Sequence, residues 1–330
     1  MKYENVANLV YNQPWAIHPA KYAILLELID FRARGGMLTK EEIQARIRAA
    51  QHPTQSLSGA VAVLPLFGVM AQRMNMMSAI SGGTSTEMFG TMFKDAVADS
   101  SIGGIVINID SPGGSVFGVQ ELWQTIMDAR GQKPIIAFAN SMAASAAYWI
   151  ATAADEIVVT PGGMVGSIGV LTSHSDISAY LEAVGEKVTL ISAGEKKVDG
   201  NPFEPLSDEA RADLQKSVDI YYASFVGAVA KGRGVTPAAV RNGFGEGGMV
   251  GGAEAVTLGM ANRVGTLDVA VARAGSKGRH RAEVKHAVTD FDTTDYTVVS
   301  AVDDVSVGGE SDGDTDRRKR RVALQQLTSR

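Results

Sequence analysis

The chain has 330 residues, of which 45% are hydrophobic and 20% are charged, with a formal net charge of -5. This is the composition of a globular protein, and its mild acidity gives no reason to expect a nucleic-acid surface. Because cysteine is absent, disulfides, thiolate zinc sites and a cysteine nucleophile are excluded. The five histidines are scattered and no pair has the spacing of a metal-binding helix, so we expect no metal or other cofactor.

The first part of the chain, residues 1–57, predicts a helical N-terminal arm. AKYAILLELIDFRAR is typical of one helix, TKEEIQARIRAA of a second with Thr39 as its N-cap, and QHPTQSLSG then breaks the pattern. The N-terminus lacks the uninterrupted apolar stretch of a signal peptide, and no later apolar run is long enough to span a bilayer. We therefore expect a soluble, cytoplasmic protein without a membrane span.

Residues 58–275 alternate between short apolar runs and segments of helical periodicity. The runs are rich in β-branched residues and predict buried strands: AVAVLPLFGV, GGIVINID, PIIAFAN, EIVVT, IGVLT and VTLISA. Helical segments lie between them, and a long one at 208–232 has Ser207 placed to cap it. Strands that alternate with helices favour βαβ units and a mostly parallel sheet, so the predicted fold class is α/β.

The last part of the chain, residues 276–330, loses the apolar periodicity. It is acidic and rich in Gly and Ser, and a basic cluster, RRKRR, follows at 317–321. A segment of this kind buries too little apolar surface to fold, so we expect a disordered polar tail. The basic cluster is typical of a solvated charge run at a terminus, and we expect no specific nucleic-acid partner.

Two segments place small residues where predicted strands end. In INIDSPGGS, a buried strand runs into Gly113 and Gly114, and tandem glycines allow backbone N–H groups to turn towards a ligand, as in an oxyanion hole. In ANSMAASAAYWIATAAD, Ser145 lies at a strand-to-helix turn, near a helix N-terminus that favours developing negative charge. A simple helix-capping role for Ser145 stays open, and Ser141 is a competing hydroxyl.

A third segment, SAGEKKVDGNPFEPLS, follows a predicted strand and contains two adjacent lysines, Lys196 and Lys197. An exposed lysine is protonated at neutral pH, whereas burial beside apolar side chains lowers the pKa of a lysine towards the range of a general base. The residues by themselves do not distinguish this pair from ordinary surface charge.

Taken together and in this order, the motifs resemble those of the S49 peptidases, which include signal peptide peptidase A and phage head-maturation proteases. The resemblance covers roughly residues 58–270 and depends on IDSPGG at 109–114, SMAASAAYWIA at 141–151, VGSIGV at 165–170 and KVDGNP at 197–202. It implies a ClpP/crotonase-like fold with repeated ββα units between the helical arm and the tail. It also implies a serine endopeptidase that needs no cofactor.

By the same resemblance, the nucleophile is Ser145 and the general base is Lys197. The oxyanion donors are the backbone N–H groups of Gly113 or Gly114 and of Ala146. Many family members have S-G-G where this chain has S-A-A, a departure that keeps the N–H donor but reduces backbone freedom. Neutral Lys197 is expected to take the hydroxyl proton as the serine attacks a peptide carbonyl, and to return it to the leaving amine.

Three rival assignments stay open. A Ser–His–Asp triad, as in the ClpP branch, needs a histidine near Ser167, whereas His174, the only histidine in the predicted catalytic region, lies beyond it. An acyl-CoA enzyme of the crotonase type needs carboxylates near the oxyanion loops, but Glu121 is typical of a helix surface. A non-catalytic scaffold with this fold is expected to lose Ser145 or Lys197, and both are present.

The N-terminal stretch NQPWAIHPAKYAILLELI resembles the arm of phage or prophage capsid peptidases, whereas signal peptide peptidases usually carry a membrane anchor. The resemblance implies action during prohead assembly on scaffold, capsid or portal proteins, in the host cytoplasm or the prohead. The alternative is a cytoplasmic signal-peptide peptidase homologue that degrades peptides. Members of the superfamily close their sites by oligomerisation, so we expect a homo-oligomer.

Overall fold

The computed structural model describes residues 10–33, 56–58, 61–73 and 83–276. Contacts within the chain divide it into two units, Met1–Arg281 and Ala282–Arg330, and all the described residues belong to the first unit. The predicted arm helix that begins after Thr39 and the predicted tail from residue 277 onwards lie outside the described residues. The domain boundaries at residues 57 and 275 therefore stay predictions.

Two sheets form in the described part of the chain. Their strands are β1 (Trp15–Ile17), β2 (Ser56–Ser58), β3 (Val61–Phe67), β4 (Met70–Ala71), β5 (Thr84–Ser85), β6 (Gly104–Ser111), β7 (Gly113–Ser115), β8 (Ile135–Ala144), β9 (Glu156–Val159), β10 (Met164–Gly166), β11 (Met249–Gly251) and β12 (Arg263–Val264). The larger sheet has the order β11-β10-β8-β6-β3-β2, and β9 and β12 extend it from β8. Strands β3, β6, β8, β9, β10 and β12 pair in parallel, whereas β2 and β11 are antiparallel to their neighbours. The predicted mostly parallel sheet is confirmed.

Helices connect most of these strands. They are α1 (Pro19–Ala33), α2 (Thr86–Ala98), α3 (Val119–Asp128), α4 (Ala146–Ala151), α5 (Ser178–Ala183), α6 (Asp208–Arg233), α7 (Pro237–Gly243), α8 (Gly252–Thr257) and α9 (Leu267–Gly275), with a 3₁₀ turn at Gly245–Gly247. Ser207 caps α6, because its hydroxyl accepts a hydrogen bond from the Ala210 N–H at 3.1 Å. No helix in the described ranges is both long enough and apolar enough to cross a bilayer.

The core lies on both faces of the larger sheet. Ile105 and Ile107 of β6 pack in one cluster with residues of α2, α3, α4 and α6, whereas Val106 packs with α9 on the other face. This alternation follows from the two-residue period of a strand. Within the first cluster, the rings of Trp149 and Phe225 stack with a centroid distance of 4.7 Å and an interplanar angle of 8°. The contact fixes α4, and thus the end of β8, against α6.

Two of the six predicted strands are wrong. Residues 168–170, in IGVLT, have no regular structure, and Leu171 forms only an isolated bridge to Trp15. Residues 186–192, which include most of VTLISA, are irregular, and Ile191 is 95% exposed. Short apolar runs indicate a preference for burial, but a strand also needs a neighbour for its backbone hydrogen bonds. The second run finds no such neighbour among the described residues.

The smaller sheet has the order β1-β7-β4-β5 and forms beside the end of β6. Strand β7 follows β6 after Pro112, and β1 pairs with it in antiparallel fashion. The described part of the arm predicted as helical therefore contains a strand before its helix, which no sequence pattern indicated because three residues are too few to show periodicity. This pairing brings the N-terminal residues to the tandem glycines.

Candidate active site

Ser145 lies between the end of β8 and the start of α4, with backbone angles φ 53° and ψ -120°. A positive φ is uncommon for a residue with a side chain and costs about 1–3 kcal/mol. Neighbouring groups hold it there, because the Ser145 N–H donates to the Gly166 carbonyl at 2.7 Å and the Ser145 carbonyl accepts from the Trp149 N–H at 2.9 Å. A sharp strand-to-helix turn of this kind is how an α/β enzyme presents a nucleophile.

The two serines left open by the sequence differ in their surroundings. The Ser145 hydroxyl makes no capping bond to the first turn of α4 and instead donates to the Gly169 carbonyl at 3.4 Å, so a simple capping role does not describe it. Ser145 is fully buried at the turn. Ser141 is exposed and donates to the Asp110 carboxylate at 2.5 Å. The strand-to-helix turn therefore belongs to Ser145, not to Ser141.

The predicted oxyanion glycines lie beside Ser145. Gly113 has a φ of +98°, and a β-carbon there would lie 3.0 Å from the Ser145 Cβ and 2.3 Å from the Ala16 carbonyl oxygen. A β-carbon on Gly114 would lie 2.0 Å from the Met70 carbonyl oxygen. Side chains at these two positions are therefore excluded, and glycine allows the backbone to approach the serine closely.

The N–H groups of the predicted oxyanion residues have different surroundings. The Gly113 N–H donates to the Ser111 hydroxyl at 3.2 Å, and that hydroxyl donates to the Gly68 carbonyl at 2.6 Å. Gly114 instead pairs with Ala16 in the β1–β7 ladder, so the choice between Gly113 and Gly114 stays open. Ala146 is the first residue of α4, where an N–H has no acceptor within the helix. The predicted donors stay Gly113 or Gly114 together with Ala146.

The two lysines lie in an exposed turn within residues 193–200. The Lys196 amine is hydrogen-bonded to the Asp213 carboxylate, which raises the pKa of Lys196 and lowers the pKa of Asp213. A lysine that is held charged by a carboxylate is a poor base. Lys197 is exposed, and its side chain makes no hydrogen bond or ion pair with any other described residue. The structure thus brings Ser145 and the glycines together, but no hydrogen bond joins Lys197 to Ser145.

The only histidine of the predicted catalytic region does not form a triad within the described residues. The Nε2 atom of His174 is hydrogen-bonded to the Asn201 carbonyl at 2.9 Å, so this side chain joins its segment to the KVDGNP loop. The Ser145 hydroxyl is bonded to the backbone of Gly169, not to an imidazole. Ser167, near which a triad would need its histidine, donates its N–H to the Gly248 carbonyl at 2.6 Å.

Sequence reasoning missed the two carbonyl groups that surround Ser145, those of Gly166 and Gly169. Both belong to the VGSIGV run at 165–170, whose glycines were the available signal. Gly166 has a φ of +119°, and a β-carbon there would lie 2.8 Å from the Gly248 carbonyl oxygen. A glycine is therefore required for this segment to pass behind the serine.

Comparisons with known proteins show which sequences this chain is similar to. Residues 128–280 match the family model described as Peptidase family S49. The chain is 34% identical to head-tail preconnector protein GP5 of Enterobacteria phage P21 over 221 residues. These residues are 67% of this chain and 44% of that protein. It is 30% identical to capsid assembly protease C of Escherichia phage lambda, over 79% of this chain and 62% of that protein. It is 28% identical to Protease 4 of Salmonella typhi, over 88% of this chain and 48% of that protein. The chain thus spans less than two thirds of the length of each of these relatives.

Proposed function

The chain belongs to peptidase family S49, and from this membership we propose that it is a serine endopeptidase with Ser145 as its nucleophile. One observation carries the proposal: Ser145 is held at positive φ in a strand-to-helix turn, against a glycine that leaves no room for a side chain. Strain of this kind at a buried hydroxyl has a cost in stability and persists where a function needs the geometry.

The mechanism uses a hydroxyl, a base and two backbone donors. The Ser145 Oγ attacks a peptide carbonyl while Lys197 accepts the hydroxyl proton, and the oxyanion is stabilised by the N–H groups of Gly113 or Gly114 and of Ala146. The protonated lysine then gives its proton to the leaving amine, and water hydrolyses the acyl-enzyme. In other enzymes the loss of one oxyanion donor costs about 10²–10³ in rate.

The exposure of Lys197 is the reason why we propose an oligomer as the active form. A lysine acts as a base when it is withdrawn from water, and a single chain leaves Lys197 exposed. The preceding segment carries exposed apolar side chains, with Val184 at 56% and Ile191 at 95%. Exposed apolar surface of this kind marks interaction sites. We propose a homo-oligomer in which a neighbouring copy covers this segment and desolvates Lys197.

The substrates that we propose are proteins of phage head assembly: scaffold, capsid or portal proteins, cleaved in the host cytoplasm or in the prohead. The support is similarity to two phage proteins, a head-tail preconnector protein and a capsid assembly protease. The alternative is a cytoplasmic peptidase of the signal-peptide-peptidase type, which the similarity to Protease 4 supports.

A serine-reactive fluorophosphonate probe tests the activity directly. The full-length protein is treated with the probe, and the modified residue is identified by mass spectrometry of the peptides. We expect modification at Ser145, none in Ser145→Ala, and retained modification in the matched control Ser141→Ala. Modification of Ser145→Ala to the same extent as the wild type would overturn the assignment.

A further inference from the structure

Strand β1, from the N-terminal part of the chain, lies between β7 of the INIDSPGGS segment and the residues that follow the VGSIGV run. On one side, β1 pairs with β7 in antiparallel register, with Trp15 opposite Ser115, Ala16 opposite Gly114 and Ile17 opposite Gly113. On the other side, Trp15 and Leu171 exchange backbone hydrogen bonds of 2.7 Å and 2.9 Å. The Asn12 N–H also donates to the Ser173 carbonyl at 2.9 Å. Strand β1 therefore lies between β7 on one side and the irregular segment around Leu171 on the other, and Asn12 and His18 extend its backbone contacts.

This strand passes directly beside Ser145. A β-carbon added to Gly113 would lie 2.3 Å from the Ala16 carbonyl oxygen and 3.0 Å from the Ser145 Cβ, so both atoms lie close to Gly113. The His18 N–H donates to the Pro112 carbonyl at 2.8 Å, so the alternation of an antiparallel ladder makes Ala16 and Gly114 the next hydrogen-bonded pair. The Ala16 carbonyl thus lies near Ser145, on a residue that pairs with the predicted oxyanion residue Gly114.

We propose that residues 12–18 occupy the substrate strand as an intramolecular pseudosubstrate, and that the site they fill binds an extended peptide with a small residue at the position of Ala16. The inference builds on the proposed peptidase function. Addition of a strand to exposed backbone edges is a common mode of peptide binding, in which main-chain hydrogen bonds give affinity and side-chain pockets give specificity. Ala16 is fully buried, so a larger side chain at this position would displace its neighbours.

The side chains that hold the strand come mainly from the arm itself. Trp15 packs in a small cluster with Val10, Ile17 and Tyr22, and its indole N–H donates to the Val10 carbonyl at 3.1 Å. The Asn12 amide donates to the Gly200 carbonyl at 2.7 Å, which ties the strand to the KVDGNP loop as well. Because Trp15 anchors the strand through this local cluster, its removal loosens the strand while the catalytic loops keep their own contacts.

The absence of cysteine from the chain permits a reversible test in the full-length protein. Trp15 and Ser115 are opposite one another in an antiparallel pair, a separation that a disulfide can bridge. In the double variant Trp15→Cys/Ser115→Cys, we expect the oxidised form to resist fluorophosphonate modification at Ser145. Reduction by dithiothreitol is expected to raise the rate of this modification by about tenfold or more. Dithiothreitol is expected to have no effect on Ser115→Cys alone. Equal modification of the oxidised and reduced double variant, or failure of the disulfide to form, would contradict the proposal.

A second experiment releases the strand without a crosslink. Trp15→Ala is expected to raise the rate of Ser145 modification by about tenfold, because truncation of a buried tryptophan removes most of the anchor. The peptide VYNQPWAIHP is expected to slow that modification again. Ile24→Ala, an exposed position of α1, is the matched control and should leave the rate unchanged. An unchanged rate of Ser145 modification in Trp15→Ala would overturn the pseudosubstrate proposal.

Failure of the peptidase assignment is distinguishable from failure of the pseudosubstrate. If no variant is modified, including Trp15→Ala and the reduced double variant, the proposed function is wrong. Binding of labelled VYNQPWAIHP to Trp15→Ala, and its loss in the oxidised double variant, then still decides whether this strand fills a peptide site. Binding that does not depend on the position of the strand would contradict the inference.

Discussion

The backbone N–H of Ser145 donates a hydrogen bond of 2.7 Å to the carbonyl of Gly166. The two residues belong to different motifs, and their contact holds the serine at positive φ while its hydroxyl points to the Gly169 carbonyl. The position of the predicted nucleophile therefore depends on the VGSIGV run as much as on the strand that carries the serine.

Replacement of Ser145 by glycine separates stability from activity. Glycine adopts positive φ without strain, so Ser145→Gly is expected to raise the free energy of unfolding by about 1 kcal/mol while peptidase activity is lost. Ser145→Ala is the matched control, because it removes the hydroxyl and keeps the strain. Urea denaturation of the three proteins measures the difference. A Ser145→Gly protein no more stable than Ser145→Ala would argue against stored strain.

Replacement of each lysine tests the choice of base. Lys197→Ala is expected to reduce the rate of peptide cleavage by about 10²–10⁴, the usual contribution of a general base. Lys196→Ala is the control, because its amine is paired with Asp213 at the surface and should affect the rate little. Cleavage is followed with a fluorogenic peptide. Retained cleavage in Lys197→Ala together with loss in Lys196→Ala would reverse the assignment.

Gly114→Ala tests the close approach of the oxyanion segment. The added β-carbon would lie 2.0 Å from the Met70 carbonyl oxygen, so β4 and β7 must separate and the Gly114 N–H must move. We expect cleavage to fall by about 10²–10³, as for loss of an oxyanion donor. Gly162→Ala is the control, because no atom lies within 4 Å of its added β-carbon. Near-normal cleavage by a folded Gly114→Ala protein would remove Gly114 from the mechanism.

Ile191→Asp tests the proposed oligomer. Ile191 is almost fully exposed in the single chain, so a charge there is expected to leave folding intact but to disrupt an interface that covers it. Analytical ultracentrifugation should show a smaller species, and peptide cleavage should fall with it. Met88→Asp, at an exposed apolar residue of α2, is the control. An Ile191→Asp protein that keeps the wild-type assembly would place the interface elsewhere.

Tyr148→Phe tests the packing behind the nucleophile. The Tyr148 hydroxyl is buried in α4 and donates to the Met260 carbonyl at 2.8 Å, and burial raises the pKa of Tyr148. Its removal leaves a buried carbonyl without this donor, at a cost of about 1–3 kcal/mol in the free energy of unfolding. The midpoint of urea denaturation should fall accordingly. Tyr180→Phe, at a largely exposed tyrosine, should leave the midpoint unchanged.

Local patterns determined much of this protein. The alternation of apolar runs with helical periodicity predicted β3, β6, β8 and β9 and the helices between them, because each element has its own period. The cap at Ser207 and the turn at Ser145 were also predictable, since both depend on residues within a few positions of each other.

The tertiary structure decided what depends on distant partners. The sequence could not show that Trp15–Ile17 forms a strand against Gly113–Ser115, or that VTLISA has no strand beside it in the described part of the chain. It placed Lys197 in the site by resemblance, whereas in the structure this side chain is exposed. Its burial by a neighbouring copy is our proposal. A short segment encodes its own conformational preference, but its pairing and its burial are set by whatever the rest of the fold, or another chain, brings against it.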